Sequence, residues 1–204
     1  MSETQEITFK DLDLSPEVMA ALKKLGVKRP TTVQQKAIPL LMDNMSLIAK
    51  APTGTGKTFA FSIPILEYLN MDVKFIQALI LCPTRELALQ ITTEMKDLGR
   101  MIKGFNVCSI IGGQSMNVQK EKLAKKPQVV VATPGRLLDL AEKHMIDISR
   151  IYTLVLDEAD EMLKMGFIKD IKKIIAITPD DKQMALFSAT MPREIQDITW
   201  QFME

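Results

Sequence analysis

Short apolar runs recur along the chain at Leu47 to Ala49, Ala78 to Cys82, Val107 to Ile111, Val129 to Ala132, Thr153 to Leu156 and Ala185 to Phe187. They lack the polar alternation of a strand with one wet face, so they predict strands buried on both faces, as in a parallel sheet. Helical spacing begins between them near Gly56, Thr84, Ser115, Pro134 and Glu158, and again after Met191. This alternation predicts a mostly parallel sheet with helices on both faces, joined by right-handed crossovers. Two helices precede the first strand. Ser15 as N-cap, Pro16 at the first helical position and Gly26 as terminator bound one of them. The other opens at Thr31-Thr32 and is expected to bend or end near Pro39.

Length adds that this is one large α/β domain: 204 residues, 47% of them hydrophobic and 25% charged, bury a substantial core but leave no room for a second full domain. No repeat, low-complexity stretch or linker interrupts the pattern. Lys and Arg total 26 against 25 Asp and Glu, so any basic surface must be local. Cys82 and Cys108 lie in the apolar runs without metal-type spacing, which predicts core thiols and a cytoplasmic protein. The polar, acidic start Met1 to Glu6 lacks the order of a signal peptide, and no apolar run reaches a membrane span. His144 reads as a surface residue, the 14 methionines as packing, and the chain as a monomer.

Chemistry enters at Ala51-Pro52-Thr53-Gly54-Thr55-Gly56-Lys57-Thr58, which sits between an expected strand and an expected helix. In that setting the main-chain N–H groups of Thr53, Gly54, Thr55 and Gly56 and the helix N-terminus surround polyphosphate oxygens. Lys57 adds a charge at the terminal phosphates, and the Thr58 hydroxyl a ligand for Mg2+. Ala51 stands where the phosphate-loop pattern has its first glycine. The run Ile151 to Leu156 ends in Asp157-Glu158-Ala159-Asp160, and strand C-termini in such sheets face the ligand crevice. Asp157 is then a Mg2+ ligand, and Glu158 the group that orients and deprotonates the attacking water.

Other strands also end in short signatures. Cys82 leads into Pro83-Thr84-Arg85, Ile111 into Gly112-Gly113, Ala132 into Thr133-Pro134-Gly135-Arg136, and Phe187 into Ser188-Ala189-Thr190. Singly, each reads as a cap, a turn or a solvated charge. The lysines at 120, 122, 125 and 126, and at 169, 172 and 173, have helical spacing with interspersed acids and read as solvated helix faces.

Taken together and in this order, from Phe9 to Thr190, these motifs resemble the DEAD-box ATP-dependent RNA helicases, in the N-terminal of their two RecA-like domains. The resemblance implies a RecA-like P-loop fold in which residues 1–45, helical and carrying an adenine-reading Q motif, join residues 46–204 in one ATP-binding domain. It implies ATP and Mg2+ as ligands, with Gln34 on the adenine edge, Arg29 beside it and Phe9 stacked on the ring. Valine at position 27, where many relatives carry an aromatic residue, departs from the pattern. The resemblance assigns Pro83, Thr84, Arg85, Gly112, Gly113, Thr133, Gly135 and Arg136 to the RNA backbone. It gives Asp160, Ser188 and Thr190 the coupling of nucleotide to RNA. It also implies a C-terminal RecA-like domain with an arginine finger, for which no motif follows Thr190. The residues alone still admit a different phosphate-loop NTPase, or a nucleotide-gated RNA-binding module that hydrolyses nothing unaided.

Overall fold

The structure is a computed structural model and describes residues 6–52 and 56–203. After a 3-10 turn at Lys10–Leu12, helix α1 (Pro16–Lys24) starts where the Ser15 hydroxyl accepts the Val18 N–H. It stops before Gly26, which takes the positive φ of 72° that glycine tolerates best. Helix α2 (Thr32–Met42) opens with a reciprocal capping box. The Thr31 hydroxyl accepts the Gln34 N–H at 3.3 Å, and Gln34 Oε1 accepts the Thr31 N–H at 3.0 Å. The helix does not end at Pro39 itself but runs on to Met42, within one turn of it. Proline removes one hydrogen bond, but Ala37, Ile38 and Leu41 are buried around it, and that packing carries the helix on to Met42.

Strand β1 (Leu47–Lys50) is followed by α3 (Lys57–Glu67), β2 (Ala78–Leu81), α4 (Arg85–Leu98), β3 (Val107–Ile110), α5 (Met116–Ala124), β4 (Val129–Ala132) and α6 (Pro134–Glu142). Then come β5 (Thr153–Leu156), α7 (Ala159–Lys164), α8 (Ile168–Ile177), β6 (Gln183–Ser188) and α9 (Arg193–Phe202). The strands form one sheet in the order β1-β6-β5-β2-β4-β3, and every pairing is parallel. The expected parallel α/β architecture is therefore present.

Alternate side chains enter two cores. Ile80, Val131, Val155 and Phe187 pack with residues of α2, α3 and α4, while Leu81, Val130, Leu154 and Leu186 pack with residues of α6, α8 and α9. A third cluster sets α1 against α2, α3 and α4 through Val18, Leu22, Ile38, Ile63, Leu66 and Leu98.

Two elements differ from expectation. The helical pattern beginning at Glu158 is two helices, because Gly166 takes φ 81° and breaks the helix between Lys164 and Ile168. Strand β6 begins at Gln183, whose polar side chain hides it in the hydrophobic pattern. Gln183 is buried, donating to the carbonyls of Leu41 and Met45 at 2.9 Å each and accepting from the Thr153 hydroxyl at 3.2 Å.

Phe187 and Phe61 are fully buried and meet edge to face at 5.6 Å between centroids, joining β6 to α3 directly behind the strand ends. Phe187→Ala is expected to lower stability by ~3–5 kcal/mol, read from urea unfolding. A loss below ~1 kcal/mol would mean that this pair does not hold the helix on the sheet.

Candidate nucleotide cleft

Parallel pairing brings the C-terminal ends of β1, β6, β5 and β2 to one side of the sheet. Ala51 N–H extends the β1–β6 ladder to the Ser188 carbonyl, and Asp157 N–H extends the β5–β2 ladder to the Leu81 carbonyl. Gly56 stands before α3 with φ 81°. An added Cβ there would lie 2.7 Å from Gln34 Nε2, so glycine is required by conformation and by contact. Thr53, Gly54 and Thr55, expected to wrap phosphates, lie outside the described residues.

Lys57 is the first residue of α3, only 6% exposed, and its Nζ lies 3.2 Å from Asp157 Oδ1 and 3.8 Å from Glu158 Oε1. The two carboxylates are adjacent in sequence, where a strand would point them to opposite faces. Glu158 takes a left-handed conformation, φ 53° and ψ 51°, and both acids come within reach of one ammonium. This backbone is strained for a residue with a Cβ, and such strain concentrates at functional sites. Burial pushes the Asp157 carboxyl above its ordinary range, against the pull of Lys57.

The cleft in front of this trio measures ≈ 430 Å³ and is lined by Thr58, Gln34, Arg29 and Val27 as well as Lys57, Asp157 and Glu158. Gln34 is buried at one wall and donates from Nε2 to the Gly56 carbonyl at 3.0 Å while Oε1 takes the Thr31 N–H. Its amide retains one N–H and one lone pair, the pattern that matches an adenine N7/N6 edge. Arg29 is exposed and pairs with Glu6 at 3.5 Å.

Phe9 is not brought into the cleft. Its ring is 4% exposed in the α1 cluster and lines a separate hollow with Met19 and Leu22. Val27 lines both hollows and forms the wall between them. Among the described residues no three His, Cys, Asp or Glu side chains gather as a metal site. Thr58 and Asp157 are hard oxygen donors, and Mg2+ commonly uses one or two such ligands together with phosphates and water, so this donor set fits it.

The other strand-end residues occupy the same side of the sheet. Thr84 caps α4, accepting the Leu87 N–H at 3.1 Å, and Arg85 follows it, exposed. Arg85 folds over the turn at Gly112-Gly113, where Gly113 takes φ 83° and an added Cβ would stand 2.6 Å from Arg85 Nη1. Pro83 is buried after β2, Thr133 precedes α6, and Gly135 lies within that helix.

Arg136 is held from below: its Nη1 lies 2.9 Å from Met116 Sδ and 3.5 Å from Gln119 Oε1. Gln119 is fully buried and donates to the Ile111 carbonyl at 2.7 Å, bracketing the end of β3 to Arg136. The sequence reading missed this residue, and its only signal was a polar side chain on the inward spacing of α5. Lys122 also corrects an expectation. It is not a solvated helix residue, because its Nζ turns onto Ser109 and Gln114.

Asp160 ties the remaining motif to the acidic one. Its Oδ2 accepts from the Thr190 hydroxyl at 2.9 Å and the Thr190 N–H at 3.1 Å. The Ser188 hydroxyl accepts the Asp160 N–H at 3.1 Å and donates to the Thr190 carbonyl at 2.6 Å. Both cysteines are buried, and burial pushes the Cys108 thiol up to about 11.

An all-parallel sheet whose strand ends gather a lysine and two carboxylates beside a glycine turn defines a RecA-like nucleotide-binding domain. The sequence profile of the DEAD/DEAH box helicases matches residues 31–198, and the chain belongs to that family. It is 47% identical over 199 residues to the ATP-dependent RNA helicase DeaD of Escherichia coli (strain K12), covering 98% of this chain and 32% of that protein. It is 46% identical over 196 residues to the DEAD-box ATP-dependent RNA helicase CshA of Geobacillus kaustophilus (strain HTA426), covering 96% and 42%. A DEAD box protein from the hyperthermophile Methanococcus jannaschii superposes with a TM-score of 0.92 at 42% identity, covering 96% of this chain and 53% of that one. The chain thus spans about a third of the length of the DeaD relatives it matches, 32% for the Escherichia coli protein. No helix among the described residues is long and apolar enough to cross a membrane.

Burial pushes the Asp160 carboxyl up, but the hydrogen bonds from Thr190 and the Glu161 N–H outweigh it and hold the group below its ordinary value of 3.8. A depressed carboxylate stabilises the fold above its unfolded pKa and loses that contribution as pH falls through the folded one. Asp160→Asn should therefore be less stable than the unmodified chain near neutrality, and the gap should shrink between about pH 5 and about pH 3 in urea unfolding. A gap that stays constant over that window would show that the carboxylate charge is not what Thr190 binds.

Proposed function

We propose that this chain is the ATP-binding domain of an RNA-remodelling ATPase and works with a second RecA-like domain that closes over the cleft. The observation that carries the reading is Lys57 held between Asp157 and Glu158 at the strand ends. A buried ammonium with carboxylate partners can exchange them for incoming phosphate oxygens, which keeps its own charge matched and leaves the carboxylates to take other partners. The names and greater length of the relatives support RNA as the substrate and a further domain as the partner. Cytoplasmic location belongs to the same proposal.

In this reading the polyphosphate lies along Gly56 and the α3 N-terminus, and Lys57 swings from Asp157 to the terminal phosphates. Thr58 and Asp157 would hold Mg2+, which would neutralise phosphate charge. Glu158, released from Lys57, orients the attacking water and takes its proton. Gln34 reads the adenine edge with its remaining N–H and lone pair while its other hydrogen bonds keep Gly56 in place. Val27 gives the base an apolar contact, and Phe9 supports Val27 from behind. Arg29 stands at the open rim, where the base enters.

RNA lies across the ends of β2, β3 and β4. Main-chain groups at Pro83, Thr84, Gly112, Gly113, Thr133 and Gly135 line its backbone, and Arg85 and Arg136 supply the charge. Such contacts bind phosphates and carry little base information. Asp160, Ser188 and Thr190 transmit closure, because their hydrogen bonds join the residue two after the proposed base to the end of β6.

Glu158→Gln is expected to preserve ATP binding and to cut hydrolysis by about 10²–10⁴-fold, measured as RNA-stimulated phosphate release from a protein that also contains the second domain. Lys57→Ala should instead weaken nucleotide binding in a titration. Hydrolysis by Glu158→Gln at the unmodified rate would remove Glu158 as the base.

Gly113→Ala should displace Arg85 and weaken unrelated single-stranded RNAs about equally. Arg85→Ala should lower the salt slope of binding by roughly 0.7, the share of a single neutralised phosphate. A loss confined to one RNA sequence would contradict the backbone assignment.

A further inference from the structure

Helix α5 is anchored by a polar side chain. Of its nine residues only Gln119 is fully buried, at a position where an inward-facing helix residue is ordinarily apolar. A buried amide has to satisfy both of its ends. Gln119 Nε2 donates to the Ile111 carbonyl at 2.7 Å, and because only the NH2 group can face a carbonyl, Oε1 is left to face the Arg136 guanidinium, 3.5 Å from Nη1. Met116 stands three residues earlier on the same face of α5, and its Sδ accepts from the same Nη1 at 2.9 Å.

Both acceptors are neutral. A carboxylate in their place would hold the guanidinium more firmly, but it would also cancel its charge. Among the described residues no Asp or Glu pairs with Arg136, whereas Arg29 pairs with Glu6 and Lys57 with Asp157. Arg136 therefore keeps its full charge while one nitrogen is fixed, and the side-on fork of Nε and Nη2, without a partner among the described residues, remains for the oxygens of an anion. At the other end of the amide, Ile111 precedes the Gly112-Gly113 turn over which Arg85 folds, and the adjacent Ile110 carbonyl accepts the Thr133 N–H at 3.2 Å. Gln119 thus spans from the end of β3 to the first turn of α6, two elements that the proposed RNA path crosses in succession.

We propose that Gln119 is a positioning residue for RNA, which with Met116 sets the distance between the Arg136 fork and the Gly112-Gly113 turn, so that both meet one phosphate backbone without prior rearrangement. This rests on the assignment of Arg136 to RNA made above. Gln119 is fully enclosed and acts only through Arg136. An arginine fixed beforehand loses less freedom on binding than one that swings in solvent. Replacing the amide by a methionine thioether of nearly the same volume keeps the packing and releases the guanidinium.

The test titrates a labelled oligouridine against the 204-residue chain by fluorescence anisotropy at several salt concentrations, comparing Gln119→Met, Arg136→Ala and the double variant. Gln119→Met should weaken binding by roughly 3–10-fold and lower the salt slope by part of the roughly 0.7 that one phosphate contact contributes, although it removes no charge. In the Arg136→Ala background the same substitution should have no further effect. A merely structural glutamine would instead lower affinity additively and leave the salt slope unchanged. Met116→Leu, at a part-buried position that tolerates the change, should give a smaller loss in the same direction, and it decides the matter in the same cycle if Gln119→Met does not fold. Weaker binding by Arg136→Ala with none by Gln119→Met or Met116→Leu, or additive losses in the double variant, would overturn the positioning role alone. Full affinity in Arg136→Ala would remove Arg136 from the RNA surface, and the positioning role with it.

Discussion

The site depends on one buried ammonium. Lys57 is placed by a helix that starts at a strand end, and its partners by a strand two positions along the sheet, so the pair exists only if β1, β6 and β5 are parallel and in register. Exposed pairs of this type contribute little. Here both side chains are withdrawn from water, and either charge left alone would be costly. The same condition makes the three groups interdependent, because anything that draws Lys57 away leaves both carboxylates without their cation.

A second network stands beside it. Asp160 lies one helical residue beyond Ala159, and its hydrogen bonds with Ser188 and Thr190 tie the start of α7 to the end of β6. Ser188 also accepts, at its carbonyl, the N–H of Ala51 at the entrance to the glycine turn. Hydrogen bonds, one buried and the others part-buried, thus connect Thr190 to the acidic motif and, through Ser188, to the chain that follows β1.

Much of this was legible in the sequence, for identifiable reasons. Parallel strands buried on both faces read as plain apolar runs, and caps such as Ser15 and the Thr31–Gln34 box announce helices locally. Lys57 and Asp157 were legible because strand ends in this fold share a crevice. What escaped was tertiary in origin. Gln183 begins a strand because it satisfies carbonyls of the α2–β1 connection far away in sequence. Lys122 looks like a surface charge until β3 is known to be an edge. Phe9 carries no local sign that Val27 will separate it from the cleft.

The most direct test of the account is a double-mutant cycle of Lys57→Met and Asp157→Asn, read by urea unfolding of the nucleotide-free chain. Removing one partner of a buried pair should cost about 3–5 kcal/mol, because the other charge is stranded, and removing both should cost clearly less than the two losses combined. Strictly additive losses would mean that Lys57 and Asp157 do not depend on each other, and the description of a charged trio held ready for phosphate would fail.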